Sequence, residues 1–285
     1  MSRRRKRKKG SGFAVIVVIV LLLIVLVIGG FAGFKLWESN QEYVEGDESY
    51  AALLKTVRGG KGDQKTPTPN GVVATDSGTD NGPTPPPTPA VPAVEIPEGN
   101  IDFAALKAVN EDSVAWLYCP DTMIDYPVMK SDDYAYYIDH LPDGTRNKNG
   151  TLFFDYNCAP DLSDRLSIIY GHHMKSGKMF GRLVEFKDQD YVDAHPYMYL
   201  YTEAMNYRVA LKYSFEIGSS EWQKRRFMYP ENVDELLAYG AAHSRFHSDV
   251  TYDENDRFLA LYTCDYEFDN ARFVVIGVLQ PEYSG

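Results

Sequence analysis

The stretch RFLALYTCDYEFDNARFVVIGVL, residues 257–279, holds two apolar runs rich in β-branched and aromatic residues, separated by a short acidic insert. This pattern predicts a β-hairpin with strands at about 258–264 and 271–279. Cys264 ends the first strand and Arg272 lies near the start of the second, so the two side chains are expected close together across the turn. The hairpin therefore predicts a nucleophile beside a permanent cation.

Similar short apolar runs precede the hairpin from about residue 101 onward. They predict about eight strands in all, with the earlier ones at 114–119, 123–129, 151–155, 166–171, 196–202 and 206–217. Apolar spacing predicts helices at 103–109, with Asp102 as its cap, at 178–186 and at 231–246. This order of elements predicts a mainly β domain: a largely antiparallel barrel with peripheral helices.

The N-terminus carries a basic cluster, RRRKRKK at 3–9, followed by 22 residues without a charge at 13–34. That length is enough to cross a bilayer as a helix, and the positive flank keeps the N-terminus in the cytoplasm. A cleavable signal peptide is the alternative, although the apolar run exceeds the usual h-region of about 7 to 15 residues. We predict a basic cytoplasmic segment at 1–12, an uncleaved signal anchor in the lipid bilayer at 13–34, and an extracellular remainder of a single-pass membrane protein.

The next segment, 35–99, is predicted to be a polar stalk followed by a Pro/Thr/Gly-rich linker, because residues 59–99 hold nine of the sixteen prolines. It would tether a globular domain at 100–285 away from the membrane. The net charge is −11 and the basic cluster contributes +7, so the rest of the chain carries −18. This acidic balance argues against a nucleic acid partner.

Three cysteines are too few for the disulfide framework of an exported domain, and an odd number leaves at least one thiol free. Cys119 lies in an apolar run and is interpreted as a small buried side chain. Cys158 is either buried or paired with Cys119, and both alternatives stay open. Cys264 differs because it ends a strand and has Arg272 across the turn, which makes it the candidate nucleophile.

A nucleophilic thiol needs a partner that accepts and returns a proton. His172 and His173 directly follow the apolar strand LSIIYG, so they leave the sheet at a strand end, where functional residues gather. Metal binding by this pair is disfavoured, because adjacent side chains rarely chelate one ion and a third ligand at a telling spacing is missing. Acidic residues at 253–256 are interpreted as a solvated turn rather than a calcium site.

Several motifs together resemble the sortases, membrane-anchored cysteine transpeptidases of Gram-positive bacteria. They are YGHHM at 170–174, MFG at 179–181, LYTC at 261–264 with Ala260 in place of the family's leading Thr, and Arg272. The segments WLYCP, IDYPV and LFFDYN are similar to the class B branch in particular. The resemblance implies a closed, largely antiparallel eight-stranded sortase-type β-barrel with peripheral helices.

The resemblance also implies roles for individual residues. Cys264 matches the family's nucleophile, His172 its acid/base partner, because it directly follows Gly171, and Arg272 the group that steadies substrate and oxyanion. Four further positions are expected to bind substrate: Tyr170, Tyr262, Thr263 and Asp265. The helix at 231–246 corresponds to one that class B members carry before the strand of the catalytic Cys. No cofactor and no metal are implied.

The implied reaction cleaves a C-terminal sorting signal after a Thr through a thioester on Cys264. The partners are surface-protein or pilin substrates and an amine from a cell-wall precursor or a pilin Lys. One alternative is a cysteine peptidase or amidase acting on the cell wall, but in those enzymes the Cys precedes the His, whereas here His172 comes first. The other alternative is a non-enzymatic adhesion domain, and thiol reactivity separates it from an enzyme.

Overall fold

The computed structural model describes residues 11–58 and 98–282, which fall into two compact units divided after Glu48. The first unit contains most of helix α1, Ser11–Arg58. Its side chains from Ile16 to Phe34 are exposed, and the helix is long and apolar enough to cross a membrane. The predicted apolar helix is therefore confirmed. The basic cluster and the predicted linker at 59–97 lie outside the described residues.

The second unit, Ser49–Gly285, contains a closed barrel of eight strands. Neighbouring strands run in the order β1-β2-β3-β4-β7-β8-β6-β5. Their bounds are β1 Ser113–Tyr118, β2 Asp125–Met129, β3 Leu152–Phe154, β4 Leu166–Tyr170, β5 Tyr197–Thr202, β6 Asn206–Gly218, β7 Arg257–Cys264 and β8 Ala271–Pro281. The β2–β3 and β4–β7 pairs are parallel and the other pairs are antiparallel. The predicted fold class, a largely antiparallel eight-stranded barrel, is confirmed.

The sequence of strand β7 is almost continuously apolar because both of its faces are buried. Leu259 and Leu261 pack in the barrel interior, whereas Phe258 and Ala260 pack in a second cluster on the outer face. Both faces of the strand are thus buried, and full burial of each large aliphatic side chain contributes about 1.5–3 kcal/mol. The outer cluster includes Trp222, so the sheet is covered on the side where Cys264 emerges.

The α-helices that follow α1 in the described residues are short and lie outside the barrel wall. They are α2 Phe103–Val109, α3 Gln189–Ala194, α4 Ser219–Lys224 and α5 Val233–His243. Asp102 caps α2 by accepting the Ala105 N–H at 2.9 Å, as predicted. Helices α3 and α4 were not predicted, because six residues are too few to show a helical period. The helix predicted at 231–246 begins two residues later and ends three residues earlier.

The helix predicted at 178–186 is wrong. The structure has only a 3₁₀ segment, Leu183–Lys187, and Met179 adopts a left-handed backbone with φ of 51°. A Cβ on Gly181 would lie 2.2 Å from the Met174 carbonyl oxygen, so the chain folds tightly back on itself there. The apolar side chains that suggested the helix are nevertheless buried, because the tight loop packs them into the barrel interior.

The last turns of α1, Ser49–Arg58, belong to the same compact unit as the barrel, although the sequence assigns them to the stalk. The Val57 carbonyl accepts the Asp102 N–H at 2.9 Å. The Arg58 guanidinium forms two 2.8 Å hydrogen bonds to the two carboxylate oxygens of Asp125 on β2. These bonds and the buried side chains of this segment make it part of the domain.

Candidate active site

Cys264 and Arg272 form the last cross-strand pair of the β7–β8 hairpin. Directly opposed residues of an antiparallel pair point to the same face of the sheet. The Cys264 side chain is exposed and Arg272 is half-buried. Arg272 is held by a 2.9 Å hydrogen bond from Nη1 to the Ala271 carbonyl. The predicted juxtaposition of thiol and guanidinium is therefore present.

The end of strand β4 is joined to the end of β7 around Gly171. The two strands are parallel and their last paired residues are Tyr170 and Tyr262. Beyond this pair the Gly171 N–H donates to the Tyr262 carbonyl at 3.2 Å, and the Thr263 hydroxyl donates to the Gly171 carbonyl at 2.7 Å. Because the two strands are parallel and end in this register, the His172 backbone leaves the sheet at the same end as Cys264.

Gly171 is required for this close approach. A Cβ there would lie 2.4 Å from Leu152 Cδ2 and 2.6 Å from Phe180 Cδ2, and both side chains are fully buried. Neither buried side chain has solvent to move into, so a larger residue would displace the backbone that carries His172. Packing against Leu152 and Phe180 therefore requires a glycine at this position of the motif.

Each of the two adjacent histidines is fixed by a backbone carbonyl. His172 Nε2 lies 2.6 Å from the Ile138 carbonyl oxygen, and His173 Nδ1 lies 2.7 Å from the Cys264 carbonyl oxygen. A carbonyl can only accept, so the nitrogen that faces it carries the proton in each ring. Nδ1 of His172 is then available for proton exchange. The His173 ring also contacts the Tyr266 ring, with centroids 4.8 Å apart.

The three thiols differ sharply in accessibility. Cys119 and Cys158 are free and buried, so the disulfide that the sequence left open is not formed, whereas Cys264 is free and exposed. Burial raises the pKa of Cys119 and of Cys158 to about 12. Both buried thiols therefore stay protonated and unreactive at neutral pH. Cys264 is the cysteine that an external electrophile can reach.

An aromatic wall borders Cys264 on the β4 side. The Tyr262 ring packs on Tyr170 at 5.1 Å and on Trp222 at 4.8 Å. The Tyr170 hydroxyl donates to Asp155 Oδ2 at 2.5 Å, and Tyr134 lies edge-on at 6.1 Å from the Tyr170 ring. Burial raises the pKa of Tyr170 and of Tyr262, so both phenols remain neutral. Tyr170 and Tyr262 are half-buried and paired across β4 and β7, and alternation places the Tyr262 side chain on the same face of β7 as Cys264.

Thr263 and Asp265 do not fit the substrate-contact role expected of them. Thr263 is 1% exposed, because alternation along β7 turns its side chain inward, and its hydroxyl is used to hold Gly171. The Asp265 carboxylate is 7% exposed, is bound by the Lys187 ammonium at 2.8 Å and also accepts the Tyr266 N–H at 2.7 Å. Both residues hold the strand end in place.

Lys187 is a residue that sequence reasoning missed. Its ammonium lies 2.8–2.9 Å from carboxylate oxygens of Glu216, Asp265 and Glu267. These three carboxylates lie close enough together to hold a metal ion, but the ammonium is placed among them. Burial by itself lowers the pKa of Lys187, but the hydrogen bonds to the three carboxylates raise it overall. The positive charge therefore persists beside the loop that follows Cys264.

Comparisons with known proteins bear on the family and the fold of this chain. A model of the sortase domain matches residues 117–280, which is more than half of the chain. The chain belongs to the sortase family. Sortase B of Listeria monocytogenes is 34% identical over 178 residues, covering 61% of this chain and 72% of that protein.

Two solved structures place this sortase in class B, as the motifs indicated. Sortase B of Clostridium perfringens superposes with a TM-score of 0.58 at 28% identity, covering 62% of this chain and 98% of that chain. A Streptococcus pyogenes class B sortase involved in pilus biogenesis gives a TM-score of 0.58 at 26% identity, covering 64% and 100% respectively. The predicted family and branch are confirmed.

Proposed function

We propose that this sortase is a membrane-anchored transpeptidase in which Cys264 is the nucleophile, His172 the general acid and base, and Arg272 the oxyanion and substrate donor. One observation carries the proposal. The register of two strand pairs brings one exposed thiol, one guanidinium and one oriented imidazole to the same end of the barrel. Each group is of the type that acyl transfer requires.

In the first half-reaction the Cys264 thiolate attacks the carbonyl carbon of a Thr in a C-terminal sorting signal. The C–S bond forms, the C–N bond breaks, and His172 delivers a proton to the departing amine. Arg272 stays charged and hydrogen-bonds the developing oxyanion, an effect worth roughly 10²- to 10³-fold in rate for one donor. The product is a thioester that links the substrate protein to Cys264.

In the second half-reaction an amine nucleophile resolves the thioester. The amine nitrogen attacks the acyl carbon, gives a proton to His172, and releases the Cys264 thiolate. The amine comes from a cell-wall precursor or from a pilin Lys, and the latter has a precedent in the Streptococcus pyogenes relative involved in pilus biogenesis. Tyr170 and Tyr262 provide an aromatic surface against which the sorting peptide packs.

The location follows from the N-terminal helix. The exposed apolar part of α1 spans the cell membrane once, and the basic cluster before it stays in the cytoplasm. The barrel then lies outside the cell, where sorting signals emerge and where the amine acceptors are found. A free Cys264 in that environment needs no disulfide partner, since its reactivity is its function.

The test uses the full-length chain in detergent micelles, fluorogenic sorting peptides and an added amine. Wild type is expected to form a thioester detectable by mass spectrometry and to transfer the peptide. Cys264→Ala is expected to fold but form no thioester. Arg272→Lys is expected to lose about 10²-fold in kcat/KM, because a point charge cannot reproduce the planar fork of donors.

The matched control is Cys158→Ala, which removes a buried thiol that takes no part in the proposed chemistry and is expected to keep wild-type turnover. Thioester formation by Cys264→Ala would remove this residue from the mechanism. Near-normal turnover of Arg272→Lys would remove the guanidinium from it. Peptide cleavage without amine transfer, at saturating amine, would identify a peptidase instead.

A further inference from the structure

The last turns of α1 pack against the barrel through three buried side chains, Tyr50, Leu53 and Val57, which are at most 7% exposed. Leu53 and Val57 pack with Trp116 of β1. Tyr50 instead points into the main core, where its ring meets the Tyr126 ring edge-on at 5.3 Å. This segment precedes residue 117, where the match to the sortase domain begins. The family comparison therefore assigns it no role.

The Tyr50 hydroxyl is bound to the loop between β2 and β3. It donates to the Gly150 carbonyl at 2.6 Å and lies 3.0 Å from Thr151 Oγ1. Thr151 in turn donates its hydroxyl to the His140 carbonyl at 2.8 Å and its N–H to the Tyr137 carbonyl at 2.9 Å. The buried phenol is thus hydrogen-bonded to Gly150 and in contact with Thr151, and Thr151 binds the 3₁₀ turn Tyr136–Ile138 through its N–H.

Gly150 lies directly against the Ile138 carbonyl, which is hydrogen-bonded to His172. It has a φ of +57°, and an ideal Cβ built on it would lie 2.4 Å from the Ile138 carbonyl oxygen. The two backbones therefore touch only because Gly150 has no side chain. The same Ile138 oxygen accepts the 2.6 Å hydrogen bond from His172 Nε2. A shift of Gly150 must move the group that orients the imidazole.

We propose that Tyr50 is a positioning residue for His172, acting through Gly150 and the Ile138 carbonyl. The proposal rests on the acid/base role of His172 given above and deepens it. The Tyr50 hydroxyl is essential to this role. A Tyr50 ring without the hydroxyl would still pack, but the buried Gly150 carbonyl would lose the donor that holds it and could shift. A segment outside the family's barrel thereby sets the hydrogen bond that selects the tautomer of His172.

Tyr50→Phe is the direct test, because it keeps the ring and removes the hydroxyl. We expect a loss of about tenfold in kcat/KM, less than the ~10²-fold that a 1 Å misplacement costs. Tyr213→Phe is the matched control, since its hydroxyl bonds Tyr252 at 3.1 Å, in a cluster on the barrel's outer face apart from this loop. Thr151→Val removes the second contact and is expected to act in the same direction.

The second readout is the pH dependence of Cys264 alkylation in the full-length chain, followed by mass spectrometry of the labelled peptide. We expect the profile of Tyr50→Phe to differ from that of wild type, because the proposed proton-exchange partner of the thiol is reoriented. Tyr213→Phe should keep the wild-type profile even where it lowers the melting temperature equally. A purely structural role of Tyr50 would not move the profile.

The outcomes separate the two proposals. If wild type transfers peptide and Tyr50→Phe matches Tyr213→Phe in kcat/KM and in alkylation profile, the positioning role is wrong while the proposed function stands. If wild type shows no transfer, the proposed function fails, and the alkylation profile alone decides the positioning role. If Tyr50→Phe does not fold, Thr151→Val supplies the same comparison.

Discussion

Replacing Lys187 by Met removes the cation that holds the loop after Cys264. Methionine keeps most of the aliphatic part of the Lys187 side chain. In wild type the ammonium at the end of that chain lies 5.3 Å from the centroid of the Phe273 ring. The substitution leaves three carboxylates whose oxygens lie within 4.8 Å of one another, and the Arg245 guanidinium, 3.6 Å from Glu216 Oε2, offsets only part of their charge. Asp265, the first residue after the thiol, is then repelled from the position in which the structure holds it.

The magnitude follows from the burial of the four groups. The side chains of Lys187, Glu216 and Asp265 are 21%, 12% and 7% exposed, so their attraction is only weakly screened. Removing one partner of a buried ion pair costs about 3–5 kcal/mol. Glu267 is 52% exposed and adds little. Allowing for the partial exposure of Lys187, we expect a loss of about 2–3 kcal/mol, or roughly 5–10 °C in a domain of this size.

The assay is thermal unfolding of the barrel at pH 7.5 and at pH 4.5, with Lys212→Met as the control. Lys212 is a half-buried lysine whose ammonium donates to the Ser248 carbonyl at 2.8 Å, without a carboxylate cluster. The pKa of Lys187 is raised above its ordinary value, so its stabilising charge is fully present at both pH values.

Two results would refute this reasoning. A melting temperature within about 2 °C of wild type at pH 7.5 would mean that the ion cluster contributes no more than an exposed pair. A loss no larger than that of Lys212→Met would mean that the three carboxylates are not its cause. Turnover should fall with stability in Lys187→Met, because the strand end that carries Cys264 loses its anchor.

Three further predictions concern the thiols, the helix end and the motif glycine. At pH 8 a methanethiosulfonate reagent should label Cys264 but leave Cys119 and Cys158 unmodified in the folded chain, and rapid labelling of either buried thiol would contradict the structure. Arg58→Met should lower the melting temperature by about 3–6 °C, since it breaks a two-bond ion pair and leaves a carboxylate beside an indole; an unchanged value would mean that the helix end does not dock. Gly171→Ala should destabilise the fold by about 1–3 kcal/mol in urea unfolding and lower kcat/KM, because its methyl collides with two buried side chains; wild-type values in both assays would show that the loop has room to adapt.

The strands were predictable because their signal is local. Runs of β-branched and aromatic residues bounded by Gly, Pro and Asp predict a strand whichever strand it pairs with. All eight predicted strands are present. The helices were less predictable. Six residues of α3 or α4 show no period, and the apolar spacing around Met179 imitates a helix although the chain folds into a tight loop.

The site was predictable where its partners are neighbours in sequence. Cys264 and Arg272 flank one turn, so a hairpin alone pairs them, whereas His172 needed the family motif because 92 positions separate it from the thiol. The sequence did not predict that the Thr263 side chain points inward or that Lys187 binds Asp265. Both features depend on strand register and on contacts from segments distant in sequence.

The sequence by itself determined the strand pattern, the apolar N-terminal helix, the hairpin that joins thiol to guanidinium, and the family. Each of these is encoded in a continuous stretch or a short motif. Only the tertiary structure decided that Ser49–Arg58 belongs to the same unit as the barrel. It also decided that the Tyr50 hydroxyl binds the Gly150 carbonyl and that the Ile138 carbonyl binds His172. Every residue has a backbone carbonyl, so the sequence does not show which carbonyl a side chain will bind. A contact between residues 100 positions apart forms only once the barrel has closed.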